Sequence, residues 1–281
     1  MDSVINKVYE LGNNNYCIRE ADSTSCYLIV GEKKALLFDT AYGYEDINPI
    51  IREITDLPLI VVDSHGDPDH ALGNYWFDEV YIHELDLGKL FRNDNPDIKR
   101  KAIDYRLQKL PELKGAIDEE AYLASTIKNV DYRFIQAGDV FDLGGKSLEV
   151  IHLPGHSYGC IALLDQKNGD LFSGDMITKH NIWYFLPNDE QAPFSLAAAA
   201  YDKLLKRKEE IGNIYPAHGP APIQSEVIEQ LREALEDMKL NNQDDLLFES
   251  FIGPNGYKHY YKDTLIIYSK ERLEEFIKED K

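Results

Sequence analysis

The stretch His65-Gly66-Asp67-Pro68-Asp69-His70 decides how this chain is read. It follows the apolar run Leu59–Val62, which reads as a strand, and precedes Ala71-Leu72-Gly73-Asn74. Four side chains able to ligate a metal, His65, Asp67, Asp69 and His70, fall within these six residues. Pro68 restricts the residue before it to extended backbone, so His65 and Asp67, two apart, share one side of the chain while Asp69 and His70 open the next turn. That arrangement suits two adjacent metal ions. Read alone, the stretch also admits a helix cap at Asp69 with His65 and His70 as surface loop residues.

Three later stretches repeat the pattern of a ligand set just beyond an apolar run. Leu153-Pro154-Gly155-His156-Ser157 puts a histidine in a Pro-Gly turn, Phe172-Ser173-Gly174-Asp175 ends a run with a carboxylate beside glycine, and Tyr215-Pro216-Ala217-His218-Gly219-Pro220 holds a histidine in a rigid turn. Side chains on loops that follow strands converge on one edge of a sheet. Around these motifs the chain reads as β-rich runs at 4–11, 15–19, 25–30 and 34–38, then a helix at 47–54 and strands at 59–62 and 79–82. Residues 84–129 are charged and helical without a strand signal, and read as an insertion. Strand signals return at 132–135, 140–143, 146–152, 160–164 and 171–173, with the turn pairs Gly144-Gly145 and Asn168-Gly169 between some of them. Helices at 195–211 and 223–240, a hairpin at 248–261, a strand at 264–268 and a helix at 270–278 complete the chain. The expected organisation is one domain over 1–222 carrying a helical insertion at about 84–131, with 223–281 as a helix, hairpin and helix extension packed on the same domain.

In order, spacing and strand-end placement the four motifs resemble those of the metallo-β-lactamase superfamily of metallohydrolases, over roughly residues 4–220. The resemblance implies an α+β fold, an αβ/βα four-layer sandwich of two mixed β-sheets with helices on the outer faces. It also implies two divalent metal ions per chain at the strand ends. His65 and His156 would hold the first metal, Asp69, His70 and His218 the second, and Asp175 would bridge them. Zinc is the metal the resemblance favours.

This sequence has Asp67 where the family usually has a histidine. A carboxylate can still ligate, which makes Asp67 a seventh candidate ligand and the first site harder and more anionic. Two divalent ions bring +4, while Asp67, Asp69 and Asp175 bring −3 rather than −2, so a shared hydroxide leaves the cluster near neutral instead of at +1. Harder oxygen ligation favours iron or manganese relative to zinc, although zinc accepts His and Asp. Family members with a carboxylate near this position include the flavodiiron oxidoreductases, which need a flavin module. Only 63 residues (281 minus 218) follow His218, too few for a domain of roughly 100–150 residues.

The sequence therefore favours a metal-dependent hydrolase of a small ester, lactone, thioester or phosphoester, in which a hydroxide shared by the metals attacks and Asp69 orients it and carries its proton. The alternatives are a di-iron redox or oxygen-sensing protein, motivated by Asp67, and a metal-binding protein without turnover. Tyr158, two residues after His156, is in position to donate a hydrogen bond to an oxyanion. Trp183 and Tyr184, in Trp183-Tyr184-Phe185, are candidates to wall a substrate pocket, with a packed loop as the competing reading. His83 reads as structural, and His152, His180 and His259 have no ligand-like spacing. Cys17, Cys26 and Cys160 read as buried free thiols.

The 281 residues carry 30 basic and 50 acidic side chains, a formal net charge of −20. Such a charge repels phosphate backbones and anionic lipid surfaces, so a small-molecule substrate is expected and neither nucleic acid nor membrane is. An apolar share of 43% is enough to bury a core. No apolar run reaches the roughly 20 residues that span a bilayer, and Met1-Asp2-Ser3 does not open a secretory signal, which reads as a cytoplasmic protein. Oligomeric state, a homodimer included, is left open.

Overall fold

The computed structural model describes residues 2–279; Met1, Asp280 and Lys281, at the outer ends of the two expected segments, lie outside the described residues. The chain forms two compact units, one up to Val150 and one from Ile151. In the first unit one sheet runs in sequence order through β1 (Asn6–Gly12), β2 (Asn15–Glu20), β3 (Thr24–Val30), β4 (Ala35–Phe38), β5 (Leu59–Val62), β6 (Glu79–His83) and β7 (Asp131–Ile135). β1 to β4 pair antiparallel, and β4 to β7 pair parallel. Parallel neighbours require crossovers, and these carry α1 (Asn48–Ile54), α2 (Pro68–Ala71), α3 (Glu84–Asn93), α4 (Pro96–Lys109) and α5 (Glu119–Ala124). β3 and β4 are buried along nearly their whole length, as strands covered on both faces are.

The helical stretch at 84–131 breaks into three helices because each has its own start signal. His83 accepts a hydrogen bond from the Leu85 amide at the head of α3, Asn95 precedes Pro96 and caps α4, and Asp118 caps α5. Ala102, Ile103, Leu113, Ile117 and Tyr122 pack in one cluster with Tyr42, Tyr44 and Leu72. The segment therefore shares the core of its unit. After β7 the hairpin of β8 (Val140–Asp142) and β9 (Ser147–His152) turns on Gly144 and Gly145, both at positive φ, where a side chain would be strained.

The second unit contains the end of β9 and a sheet continuing through β10 (Ile161–Asp165), β11 (Asp170–Gly174), β13 (Asn213–Pro216) and β14 (Ile223–Gln224). A second sheet has the order β12 (Asn181–Tyr184), β17 (Thr264–Tyr268), β16 (Gly256–Tyr261), β15 (Leu246–Phe248). Helices α6 (Phe194–Leu205), α7 (Glu226–Leu240) and α8 (Lys270–Glu279) complete it, and Leu164, Phe194, Tyr201, Leu231 and Ile266 are among the buried side chains of its main core. Two of the differences from the sequence reading bear on the site and the C-terminal elements. Ile223 pairs with Ile214 as part of β14, so α7 begins only at Glu226. Trp183 and Tyr184 lie in β12, paired in parallel with β17, a long-range partner that no local pattern announces. The fold is mixed α+β, as expected. No helix among the described residues is long and apolar enough to cross a membrane.

Gly73 lies so close to the backbone of Thr40 that a Cβ there would collide with the Thr40 carbonyl oxygen. Gly73→Ala is expected to cost about 1–3 kcal/mol through overpacking against rigid backbone, read as a lowered urea midpoint at unchanged slope.

Candidate metal centre

In the first unit the ligand loop begins where β5 ends. Asp67 has φ −79° and ψ 153°, the extended conformation that Pro68 imposes, and α2 starts at Pro68. His65 Nε2 lies 3.3 Å from Asp67 Oδ2, and His70 Nε2 lies 3.8 Å from Asp69 Oδ1. The two imidazoles are fully buried with ring centroids 4.0 Å apart. Two ligands each about 2.1 Å from a tetrahedral ion stand about 3.4 Å apart, so both pairs have the spacing of neighbours around a cation. The donor set of imidazole nitrogens and carboxylate oxygens fits zinc, and also iron or manganese.

The other ring nitrogen of each histidine is committed to the protein. His70 Nδ1 is 2.9 Å from Asp39 Oδ2, and His65 Nδ1 is 2.9 Å from Ser64 Oγ. Ser64 donates both its amide and its hydroxyl to Asp39, at 2.6 and 2.8 Å. Asp39 thus ties together the candidate ligands of the first unit. It sits just past β4 with φ +68°, a left-handed conformation uncommon outside glycine. Thr24 on β3 donates to Asp69 Oδ2 at 3.3 Å, and Asp69, with a side chain 22% exposed, keeps contact with solvent. Asp63, at the end of β5, accepts from Asn74 Nδ2 at 2.7 Å; burial holds its carboxyl well above the ordinary carboxylate range.

Helix α3 grips the same loop along one face. Asp86 Oδ2 accepts the Gly66 amide at 2.8 Å, Asn93 Nδ2 donates to the Gly66 carbonyl at 2.9 Å, and Lys89 Nζ lies 2.6 Å from Asp67 Oδ1. Positions 86, 89 and 93 follow the helical repeat. Gly66 makes the close approach feasible, since a Cβ there would stand 2.8 Å from the Asp86 carbonyl oxygen and 3.0 Å from the Leu90 amide.

In the second unit Asp175 follows β11, directly after Gly174 with φ +52°. Its two oxygens face different imidazoles, Oδ2 at 3.8 Å from His156 Nε2 and Oδ1 at 3.5 Å from His218 Nε2. His156 Nδ1 is 2.9 Å from the Trp183 carbonyl oxygen, which also accepts from Gln191 Nε2 at 2.5 Å. His218 lies just past β13, its carbonyl bonded by the Thr178 hydroxyl at 2.8 Å. The His180 ring lies near it, tilted by 38° with ring centroids 6.0 Å apart.

Of the aromatic candidates, Tyr158 is half-buried and donates its hydroxyl to the Asn188 carbonyl at 2.9 Å. Trp183 packs against Phe185 and Phe248. Tyr184 is wholly buried with its hydroxyl 3.2 Å from that of Tyr201. The sequence reading passed over Asp39, Ser64, Thr24 and Lys89. Asp39 had one local signal, a carboxylate directly behind the all-apolar β4; Lys89 had none, because lysines on a charged helix are commonplace. The three cysteines are buried and free.

Comparison with known proteins places these residues in a family context. Residues 19–250 match the model of the metallo-beta-lactamase superfamily. An acyl-coenzyme A thioesterase MBLAC2 of Gallus gallus is 26% identical over 75% of this chain and 75% of its own length. A metallo-beta-lactamase from Pontibacter korlensis superposes with a TM-score of 0.60 at 15% identity, over 83% of this chain and 99% of that one. TTHA1623, solved in a di-iron-bound form, superposes with a TM-score of 0.52 at 25% identity, over 74% of this chain and 92% of that one.

Asp39→Asn removes the anionic partner of His70 Nδ1 and an acceptor of Ser64. Metal affinity is expected to fall about 10–100-fold in a competitive chelator titration, with the far-ultraviolet circular dichroism unchanged.

Proposed function

The chain belongs to the metallo-beta-lactamase superfamily, and from that premise we propose that it is a metal-dependent hydrolase of an acyl thioester. In this reading His65, Asp67 and His156 would hold a first ion, Asp69, His70 and His218 a second, and Asp175 would serve both. The observation that carries the proposal is Asp175, whose two carboxylate oxygens each face a different imidazole, the disposition a bridging ligand needs. The match to the superfamily over residues 19–250 runs through both ligand sets and supports reading them together. When bound, such a pair supplies Lewis acidity toward a carbonyl oxygen and lowers the pKa of a water toward 7.

The chain's own residues have distinct tasks in this reading. Asp69, with one oxygen held by Thr24 and the other toward His70, orients the attacking water and takes its proton. Asp39 and Ser64 keep the His65 and His70 rings turned so that Nε2 faces the carboxylates. A thiolate leaving group, with a thiol pKa of about 8.5, departs without prior protonation, so Asp69 has to move a proton at one stage only. The thioesterase name of the avian relative supports the thioester over the ester, lactone or phosphoester. Zinc is the preferred metal. The argument for iron or manganese rested on an anionic Asp67, and Lys89 at 2.6 Å from that carboxylate weakens its electrostatic half.

Purified protein is expected to cleave acyl thioesters, assayed by thiol release on acyl-coenzyme A and on neutral acyl-cysteamine substrates in parallel, and to lose that activity on chelation. Asp69→Asn should lower kcat by about 10²–10⁴ at saturating metal and weaken binding of the second ion, because it removes both the base and an anionic ligand. Asp175→Ala should cost both metals in elemental analysis. Turnover of lactones or phosphodiesters with no thiol release would overturn the substrate, and loss of one metal only would overturn the bridge.

A further inference from the structure

Lys89 has a side chain only 4% exposed, and its ammonium lies 2.6 Å from Asp67 Oδ1. A buried ammonium is costly unless it is paired, and α3 aims this one at the residue where the sequence departs from its family's usual histidine. The pairing divides the labour of the carboxylate. Oδ1 belongs to the lysine, and Oδ2 is left 3.3 Å from His65 Nε2, at the spacing of a second ligand. We propose that the Asp67–Lys89 pair acts as a charge-neutral substitute for a histidine ligand, with Lys89 as the positioning residue that makes Asp67 a one-oxygen donor of zero net charge. The inference rests on the reading above that Asp67 ligates the first metal.

The charge arithmetic separates this from an ordinary ion pair. Two divalent ions with three carboxylates sum to +1; adding Lys89 restores +2, the value two carboxylates would leave. A neutral imidazole contributes one donor atom and no charge, and so does the pair. The other α3 contacts, Asp86 and Asn93 to Gly66, fix the backbone of the loop. Removing the ammonium alone therefore leaves a more anionic, less constrained carboxylate that favours harder cations. Introducing an imidazole beside the unmodified lysine removes the carboxylate that Lys89 faces and sets its buried positive charge next to a cation.

The test is a double-mutant cycle on the full chain, reading metal stoichiometry by elemental analysis and zinc and manganese affinities by competitive chelator titration, with apoprotein Tm as the check on folding. Lys89→Met is expected to shift the ratio of zinc to manganese affinity toward manganese by tenfold or more, while Lys89→Arg keeps the wild-type ratio. Asp67→His should weaken the first metal at least tenfold, and Asp67→His with Lys89→Met should recover zinc affinity to within a few-fold of wild type, a non-additivity that a purely structural clamp does not produce. If Asp67→Asn weakens the first metal but Lys89→Met leaves both affinities unchanged, or the double variant merely sums the two losses, the role of Lys89 is overturned and Asp67 stands as a ligand. If Asp67→Asn alters nothing, Asp67 is not a ligand, and both fall. Should Asp67→His fail to fold, Lys89→Met against Lys89→Arg decides the question alone.

Discussion

His70 Nδ1 lies 2.9 Å from Asp39 Oδ2, and the first-unit ligands depend on what that contact requires. An imidazole has two ring nitrogens, and it presents one of them reliably only when the other is tied to the protein. Asp39 ties His70 directly and His65 through Ser64. It reaches both because β4 and β5 are parallel neighbours in a register that sets Phe38 beside Val62, so the residues just past each strand emerge side by side. A slip of one residue would turn every side chain of β5 to the opposite face, and the loop it feeds would no longer meet Asp39. Sheet register, hydrogen bonding and the orientation of the ligands are one constraint.

The helical segment after β6 gains a second meaning from α3. Insertions between strands usually concern access to a site, and α4 and α5 contribute Ala102, Ile103 and Tyr122 to the core of the first unit. α3 instead acts on the ligand loop itself, through Gly66 and Asp67. Gly66 is needed for steric reasons, being the point at which two backbones come within reach of one another. Buried carboxylates and ammonium groups cost several kcal/mol each when left alone. Asp67 and Lys89 offset one another.

In the second unit the aromatic segment matters through its backbone. The carbonyl of Trp183 accepts from His156 Nδ1, and Trp183 offers that carbonyl because β12 is held as an edge strand against β17. The C-terminal sheet thus supports a candidate ligand whose own motif lies earlier in the chain. The acidity of the protein, with a net charge of −20, gives an electrostatic preference for binding cations and works against polyanionic ligands.

The sequence by itself determined the family, the mixed α+β class, most strand and helix positions, and the identity of the candidate ligands. Those features are local: apolar runs, Gly and Pro punctuation, and ligand types directly behind strands leave a trace within a few residues. β5 and β17 were legible to the residue for that reason, and so was the extended backbone at Asp67, which Pro68 dictates. Only the tertiary structure decided that Asp39 faces both Ser64 and His70, that Lys89 reaches Asp67, that the Trp183 carbonyl faces His156 while Tyr184 is buried, and that residues 223 and 224 pair as a strand before α7 begins. Each of these is a contact between residues distant in sequence, made by side chains or carbonyls whose type is ordinary and whose partner is chosen by sheet pairing and helix packing, so no pattern along the chain could encode it.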